Sequence, residues 1–329
     1  MSTQAVASVR RLAVMTSGGD APGMNSCIRA VVRYAQHHGI ETSGVYWGYE
    51  GLIDGKIVPL GARDVGGKLQ EGGTLLKSAR LPSFREPVVQ ARGVAILRRH
   101  GIDALVVIGG DGSLAGAAAL SSHGFPTIGI PASIDNDIAG TELAIGVDTA
   151  LNTILEAIDR LRDTASSHGR VLIVETMGRD CGYLALMSGL TGGAEVIHVP
   201  EQRLELEEIL AAVERGRARG KTHVLVTVAE GAGHEAHAIS EYIAARHEGY
   251  QPRVTILGHV QRGGRPTHFD RLLATRMGVQ AVDSLTRGEH GVMVGLRGGA
   301  MITAPLPGVV SGNRAAAAED YRLARILAQ

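Results

Sequence analysis

The segment Ser133-Ile134-Asp135-Asn136-Asp137 sets two carboxylates at alternate positions, so in an extended backbone both point to one side. Phosphoryl transfer to an alcohol needs a carboxylate near the attacking hydroxyl and charge neutralisation around the phosphoryl group. One aspartate as base and one beside a metal would supply both, although Asp-Asn-Asp is also good turn chemistry. Two glycine-rich loops stand upstream, Thr16-Ser17-Gly18-Gly19-Asp20-Ala21-Pro22-Gly23-Met24-Asn25 and Gly109-Gly110-Asp111-Gly112-Ser113. Without Cβ atoms the backbone can approach a ligand, and a helix that follows presents unpaired N–H groups to a phosphate. The alternative for each is a tight strand-to-helix turn. Asp111 suits a hard cation such as Mg²⁺ bridging phosphate oxygens, or the N-cap of the next helix.

Arginines join these loops. Guanidinium forks match phosphate oxygens and stay charged. Arg80, Arg85, Arg170, Arg179, Arg253 and Arg262 occupy loop positions, and Ser78-Ala79-Arg80, Met177-Gly178-Arg179 and His259-Val260-Gln261-Arg262-Gly263-Gly264 flank glycine or follow apolar runs. His259 reads as a hydrogen-bond partner for substrate or a packed imidazole rather than a catalyst. Glu230, just past Ala229, is a candidate acceptor for a sugar hydroxyl or a solvated loop carboxylate.

Loops of this kind need strands and helices to hold them. Apolar runs at Arg11–Met15, Ala104–Ile108, Thr127–Ile130, Val171–Val174, Val224–Val228 and Val254–Leu257 each predict a strand buried on both faces. Helical periods fall between them. After Asp148, read as an N-cap, Leu151, Ile154, Leu155, Ile158 and Leu161 share one face. The alternation predicts parallel sheets in an α/β fold, with ligands beyond the carboxyl ends of the strands. Gly-Gly-Asp recurs at Gly18–Asp20 and Gly109–Asp111, each directly after a strand.

Composition narrows the class. A length of 329 residues suits two domains or lobes. Lys+Arg and Asp+Glu both total 33, so the basic excess of a general nucleic-acid binder is missing. Cys27 and Cys181 form no metal-type pair and read as buried thiols in a reducing cytoplasm. The first ten residues do not read as a signal peptide, and no apolar run approaches the roughly 20 residues that span a bilayer.

Taken in order, Thr16–Asn25, Gly109–Ser113, Ser133–Asp137, Met177–Arg179 and His259–Gly264 resemble the bacterial ATP-dependent 6-phosphofructokinases, over about residues 11 to 320. The stretch Asp159-Arg160-Leu161-Arg162-Asp163-Thr164 adds to the likeness. The resemblance implies an α/β fold of two similar three-layer, Rossmann-like lobes with mainly parallel sheets and the active site in the cleft between them. Residues 1–146 plus 259–309 would form a larger ATP-binding lobe, and 147–258 plus 310–329 a smaller sugar-phosphate-binding lobe. The implied reaction moves the γ-phosphoryl of Mg-ATP to the 1-hydroxyl of fructose 6-phosphate.

Roles follow by resemblance. Asp135 matches the general base and Asp111 the Mg²⁺-associated carboxylate, with Asp137 close to the same charge cluster. Gly19, Tyr46, Arg80, Arg85, Gly110, Gly112 and Ser113 match the nucleotide side. Arg179 matches a cation beside the transferred phosphoryl group, where Arg80 also acts. Ser133, Met177, Gly178, Glu230, His259 and Arg262 match the sugar-phosphate pocket. Arg170 and Arg253 match arginines that reach into a neighbouring subunit, which implies a homotetramer with shared active sites. Arg29, Arg33, Lys56, Arg162, Glu195, Arg219, Lys221 and His223 match a second site for an effector such as ADP or phosphoenolpyruvate. Lys56 stands where arginine is usual, Thr222 where lysine is common and Ser133 where threonine is usual. Pyrophosphate-dependent relatives carry Asp in place of Gly112 and Lys in place of Ala132; small residues here favour ATP. Kinases of NAD or lipid head groups share only the second loop. A non-catalytic regulatory subunit would tend to lose one of Asp111, Asp135 and Arg179.

Overall fold

The computed structural model describes residues 9–166, 170–247, 249–312 and 318–327, so most of the first ten residues, read above as lacking a signal peptide, lie outside it. In chain order the elements are β1 (Arg11–Ser17), α1 (Met24–His37), β2 (Glu41–Val45), α2 (Gly48–Ile53), β3 (Ile57–Pro59), α3 (Pro87–Arg99), β4 (Ala104–Gly109), α4 (Asp111–Ser122), β5 (Thr127–Pro131) and α5 (Val147–Ser166). Then come β6 (Val171–Thr176), α6 (Tyr183–Gly192), β7 (Val196–His198), α7 (Leu206–Ala218), β8 (Val224–Ala229), α8 (Ala236–Arg246), β9 (Pro252–Ile256), α9 (His268–Thr286), β10 (Val292–Arg297), β11 (Ala300–Pro305), α10 (Leu306–Ser311) and α11 (Ala318–Leu327). Short 3-10 turns span Pro82–Arg85 and Gly258–Arg262. The expected α/β class with mainly parallel sheets is borne out. Among the described residues no helix is long and apolar enough to cross a membrane.

Two compact units divide the chain. One comprises the described residues within 1–133, 138–148 and 262–313; the other, those within 134–137, 149–261 and 314–329. The first unit holds a seven-stranded sheet in the order β11-β10-β5-β4-β1-β2-β3. Its edges are antiparallel, through β2–β3 and β10–β11, and its centre is parallel. Every residue of β4 is buried, as an apolar strand covered on both faces should be. Register aligns the ends of the central strands: Ser17 of β1 faces Gly109 of β4, and Gly109 faces Pro131 of β5. The loops after all three strands therefore leave one sheet edge side by side.

The second unit repeats the design in a four-stranded, all-parallel sheet ordered β7-β8-β6-β9. Thr176 of β6 faces Ala229 of β8, and Glu175 faces Ile256 of β9. Val171, Ile173, Val224, Val226 and Val228 meet Ile209 and Val213 of α7 and Ile239 and Ile243 of α8 in its core. Two expectations need correction. β9 is not buried on both faces, because it is an edge strand paired only with β6, and Ile256 is half exposed. Asp148 is not the N-cap of α5 but lies in its first turn, where a carboxylate still suits the helix dipole. Its Oδ2 accepts the Thr267 hydroxyl at 2.6 Å.

A connection of irregular backbone, residues 71–80, is tied to the end of β1 and the start of α1. Asn25, 2% exposed, donates from Nδ2 to the carbonyls of Glu71 and Gly72 at 3.1 Å each, and its Oδ1 accepts the Leu75 N–H at 2.6 Å. Thr16 donates its hydroxyl to the Lys77 carbonyl at 2.8 Å, and Ser78 donates to the Gly18 carbonyl at 2.5 Å. Asn25→Ala removes three hydrogen bonds to a part-buried stretch of backbone. It should lower the unfolding free energy by about 1–2 kcal/mol in urea titration, since a net hydrogen bond contributes about 0.5–1.5 kcal/mol and water reaches part of this backbone.

His198 ends β7 with no exposed surface, and its Nδ1 accepts the Leu204 N–H at 3.3 Å. Burial first, then the neighbouring His234 and Arg203, pull its pKa down to about 4. The unfolded chain binds the proton near pH 6.5 and the folded chain only near pH 4. Stability is therefore full above pH 6.5 and falls as pH drops toward 4, by up to about 3 kcal/mol from this group. His198→Gln, which cannot charge, should flatten the acid limb of a stability–pH curve over that window. An unchanged slope would refute the assignment.

Candidate active site

Two of the three loops that leave the first sheet side by side, those after β1 and β4, pack through Ser113, and the third meets them at Gly110. A Cβ placed on Gly109 would stand 2.6 Å from the Ser113 hydroxyl and 2.5 Å from the Ser17 carbonyl, and one on Gly18 would stand 3.1 Å from the same hydroxyl. Gly110 is the N-cap of α4, and Ser133 lies against it, its Oγ 3.9 Å from where a Cβ would sit. Asp111 is therefore the first residue of α4 rather than its N-cap, and it is exposed at the positive end of the helix. Gly112 differs from its neighbours. A Cβ there meets nothing within 4 Å, so packing does not require glycine at that position. In the first loop, Arg262 lies over Gly19: its Nη1 would be 2.5 Å from an added Cβ and donates to the Asp20 carbonyl at 3.4 Å.

Arg80 and Arg85 are both exposed and flank the turn Pro82–Arg85. That turn is fixed by an aromatic contact. Phe84 stacks on Tyr49 with ring centroids 4.0 Å apart, and the buried Tyr49 hydroxyl donates to the Ser113 carbonyl at 2.7 Å. Burial pushes the Tyr49 phenol well above its usual range, so it stays a donor. Tyr49 and Phe84 thus connect the arginine-bearing turn to the start of α4. Sequence reasoning named Tyr46 instead, which is half-buried and gives its N–H to the Lys56 carbonyl at 3.0 Å.

In the second unit, Asp135 is 2% exposed and its Oδ2 lies 3.5 Å from Nε of Arg179. Arg179 follows β6 with φ +53°, after Gly178 at φ +144°; Asn136, next to Asp135, has φ +53°. Left-handed backbone at a residue with a Cβ costs about 1–2 kcal/mol, so other contacts must hold it. Glu230 does so, accepting the Gly178 N–H at 3.2 Å and the Arg179 N–H at 2.7 Å on one oxygen. Gln261 accepts the Met177 N–H at 3.3 Å and donates to the Gly258 carbonyl at 2.9 Å. Glu230 therefore anchors the loop backbone through one oxygen while staying exposed, which is compatible with either of the two roles weighed for it. Gln261, fully buried, was passed over; a polar residue inside a short apolar-flanked turn was the available signal. His259 is exposed, which removes the packed-imidazole alternative.

Other expected residues lie elsewhere. Arg170 precedes β6 and Arg253 is the second residue of β9, at the amino end of the sheet, opposite the Met177–Arg179 loop. Arg253 is exposed, and its Nη1 donates to the Pro252 carbonyl at 3.1 Å. Glu195, Lys221 and His223 also sit at amino ends, before β7 and β8. The largely buried Glu195 pairs with Lys221 at 2.9 Å and accepts the Leu225 N–H at 2.6 Å. Burial, then the charges of Arg162 and Lys221, lower the His223 pKa against the pull of Glu195, so these four share one electrostatic cluster. Arg219 and Glu195 border a cavity of about 510 Å³ together with Tyr321 and Arg325 of α11. Arg29, Arg33 and Lys56 belong to the first unit, where Lys56 pairs with Asp54 at 2.8 Å. Both cysteines are buried, as expected.

The family model described as phosphofructokinase matches residues 11–285. The chain is 48% identical over 319 residues to the ATP-dependent 6-phosphofructokinase of Halalkalibacterium halodurans, covering 97% of this chain and 99% of that protein. It is 53% identical over 292 residues to that of Listeria welshimeri, covering 88% and 90%. Among solved structures, the phosphofructokinase of Saccharomyces cerevisiae superposes with a TM-score of 0.85 at 39% identity over 92% of this chain; this chain spans only 45% of that one. A pyrophosphate-dependent phosphofructokinase from Marinobacter aquaeolei reaches a TM-score of 0.85 over 97% of this chain and 91% of that one, but at 21% identity, a likeness of fold alone. The resemblance drawn from the five motifs is thus borne out: the chain belongs to the phosphofructokinase family.

Proposed function

We propose that this chain is an ATP-dependent 6-phosphofructokinase that transfers the γ-phosphoryl of Mg-ATP to the 1-hydroxyl of fructose 6-phosphate, giving fructose 1,6-bisphosphate and ADP. The observation that carries the reading is the buried Asp135 carboxylate with the Arg179 guanidinium beside it, Arg179 being on a loop held by Glu230 and Gln261. Asp135 takes the proton of the 1-hydroxyl as that oxygen bonds to the γ-phosphorus and the bond to ADP breaks. Arg179 and Arg80 offer fixed positive charge to the phosphoryl oxygens. Ser133, Asp137, His259, Arg262 and the Met177-Gly178 backbone bind the sugar phosphate.

The phosphates of ATP take the backbone of Gly19, Gly110, Gly112 and Ser113, with Tyr46 and Arg85 on the nucleotide side. Openness at Gly112 supports the donor assignment: the fold leaves that glycine unexplained, whereas a nucleotide α-phosphate needs the space. Ala132 is buried in a backbone bridge with Ile145 and brings no charge that would hold a compact pyrophosphate. Asp111 would hold Mg²⁺ arriving on the nucleotide; an exposed single carboxylate suits a cation that keeps waters and phosphate oxygens as its other ligands. A cation held there would supply charge neutralisation for the phosphates.

The enzyme acts in the cytoplasm as a homotetramer. Six residues of extended chain lie between Arg170 and Met177, a span of about 23 Å at roughly 3.3 Å per residue step. One small sugar phosphate cannot meet both ends of β6, so Arg170 and Arg253 serve a neighbouring subunit's substrate. Arg162, Glu195, Arg219, Lys221 and His223 form the regulatory site for ADP or phosphoenolpyruvate, together with Arg29, Arg33 and Lys56.

Asp135→Ser should lower kcat by about 10²- to 10⁴-fold with little change in sugar-phosphate affinity, measured by product formation and by equilibrium binding. Wild-type turnover in that variant would remove Asp135 from the mechanism. Product with ATP but none with pyrophosphate is expected of the parent enzyme; the reverse would overturn the donor assignment.

A further inference from the structure

The loop that carries Arg179 is anchored at both ends by carboxylates. Glu230 and Gln261 hold its beginning, at Met177, Gly178 and Arg179. Its end, Gly182, is the N-cap of α6 and gives its N–H to Glu201, 2.9 Å from Oε1 and 3.1 Å from Oε2. A Cβ on Gly182 would stand 2.5 Å from Glu201 Oε2 and 2.5 Å from Cβ of Val199, so the backbone sits tight against this carboxylate. Between the two anchors the loop turns through left-handed Arg179, and Cys181 gives its N–H to the Gly178 carbonyl at 2.9 Å. Such a turn has little freedom when both ends are fixed and more when either is released.

Glu201 is itself held from the far end of the chain. The Tyr321 hydroxyl of α11 donates to Glu201 Oε2 at 3.1 Å. The Tyr321 ring is half-buried and packs against the core of the second unit, which fixes where the hydroxyl points. Neither Glu201 nor Tyr321 touches Asp135 or Arg179 by any contact described above. Their line of action is Tyr321 to Glu201, Glu201 to the Gly182 N–H, and the loop backbone to Arg179. A bond from an ionised acceptor to a backbone donor is among the stronger kinds of hydrogen bond, and Glu201 makes it at the positive end of a helix.

We propose that Glu201, steadied by Tyr321, is a positioning residue for phosphoryl transfer: it fixes the Arg179 loop, so the carboxyl-terminal helix contributes to turnover without reaching the substrate. This rests on the reading above that Arg179 serves the transferred phosphoryl group. Losing the position of one transition-state cation costs kcat rather than nucleotide binding, which belongs to loops of the other unit.

The test uses full-length enzyme and three variants, Tyr321→Phe, Glu201→Ala and Arg179→Ala, with the double variant of the last two. Steady-state rates with ATP and fructose 6-phosphate should show kcat lowered about tenfold in Glu201→Ala and about threefold in Tyr321→Phe, with KM for ATP within about twofold. In the Arg179→Ala background the Glu201→Ala factor should shrink to less than about twofold, because the two act through one group. A structural role would instead persist there in full. Amide hydrogen exchange across residues 177–182 should quicken in Tyr321→Phe and Glu201→Ala, whatever the catalytic outcome. Unchanged kcat and unchanged exchange in Tyr321→Phe, which removes a single oxygen and keeps the ring, would overturn the proposal even if Glu201→Ala failed to fold. A parent enzyme without activity, but with quickened exchange in the variants, would leave the anchoring intact and sink the kinase reading.

Discussion

Parallel register is the constraint on which the site depends. Hydrogen bonds between β1, β4 and β5 set Ser17, Gly109 and Pro131 in one row, so three loops must emerge together. A slip of one residue in any of these strands would turn its side chains to the other face and move its loop by about 3.3 Å. The buried apolar residues of β4 forbid such a slip, because both faces are already covered. The second sheet obeys the same rule with Thr176, Ala229 and Ile256 near one edge. Chemistry at loop tips is thus positioned by hydrophobic burial some distance beneath them.

Register alone places loop bases, not loop conformations. The described non-glycine residues with positive φ are Trp47, Lys77, Asn136 and Arg179. Each lies where candidate site segments meet a strand end or the aspartate motif. Trp47 gives its N–H to the Leu76 carbonyl, and Lys77 offers its own carbonyl to Thr16. Side chains that accept or donate to loop backbone, namely Asn25, Glu230, Gln261 and Glu201, offset the strain at these turns. Through backbone contacts such residues give the loops, and the arginine they carry, a defined place.

Much of this was legible in the sequence. Apolar runs of β-branched residues marked the central strands, because a strand covered on both faces has to be apolar throughout. Edge strands such as β3, β7 and β11 were not marked: they are short or partly exposed, so their patterns are weak. β9 was found but its burial was misjudged, since a run of five residues cannot say how many neighbours it has. Among candidate site residues, the glycine-rich loops, Asp135 and Arg179 stand out in the sequence because few residue types serve the chemistry proposed for them. Tyr49, Asn25, Gln261 and Glu201 do not, because each acts on backbone that only the fold brings near it, across separations from 19 to 84 residues, and Phe84 does not, because its partner is the distant Tyr49 ring.

The glycines separate what folding demands from what a ligand demands. Gly109 and Gly182 are required by their own neighbours, for a Cβ on either would collide with atoms of the same unit. Gly112 has no such neighbour and stands in the first turn of a helix, where glycine is worse than alanine by roughly 1 kcal/mol. A chain folding only for stability would gain from a side chain there. Keeping the helix start bare makes sense if something outside the polypeptide occupies the space, and the exposed N–H groups and dipole of α4 define that occupant as an anion. The cost at Gly112 and the strain at Arg179 are thus alike: local stability is given up at positions proposed to meet the phosphates and is recovered in the sheets beneath.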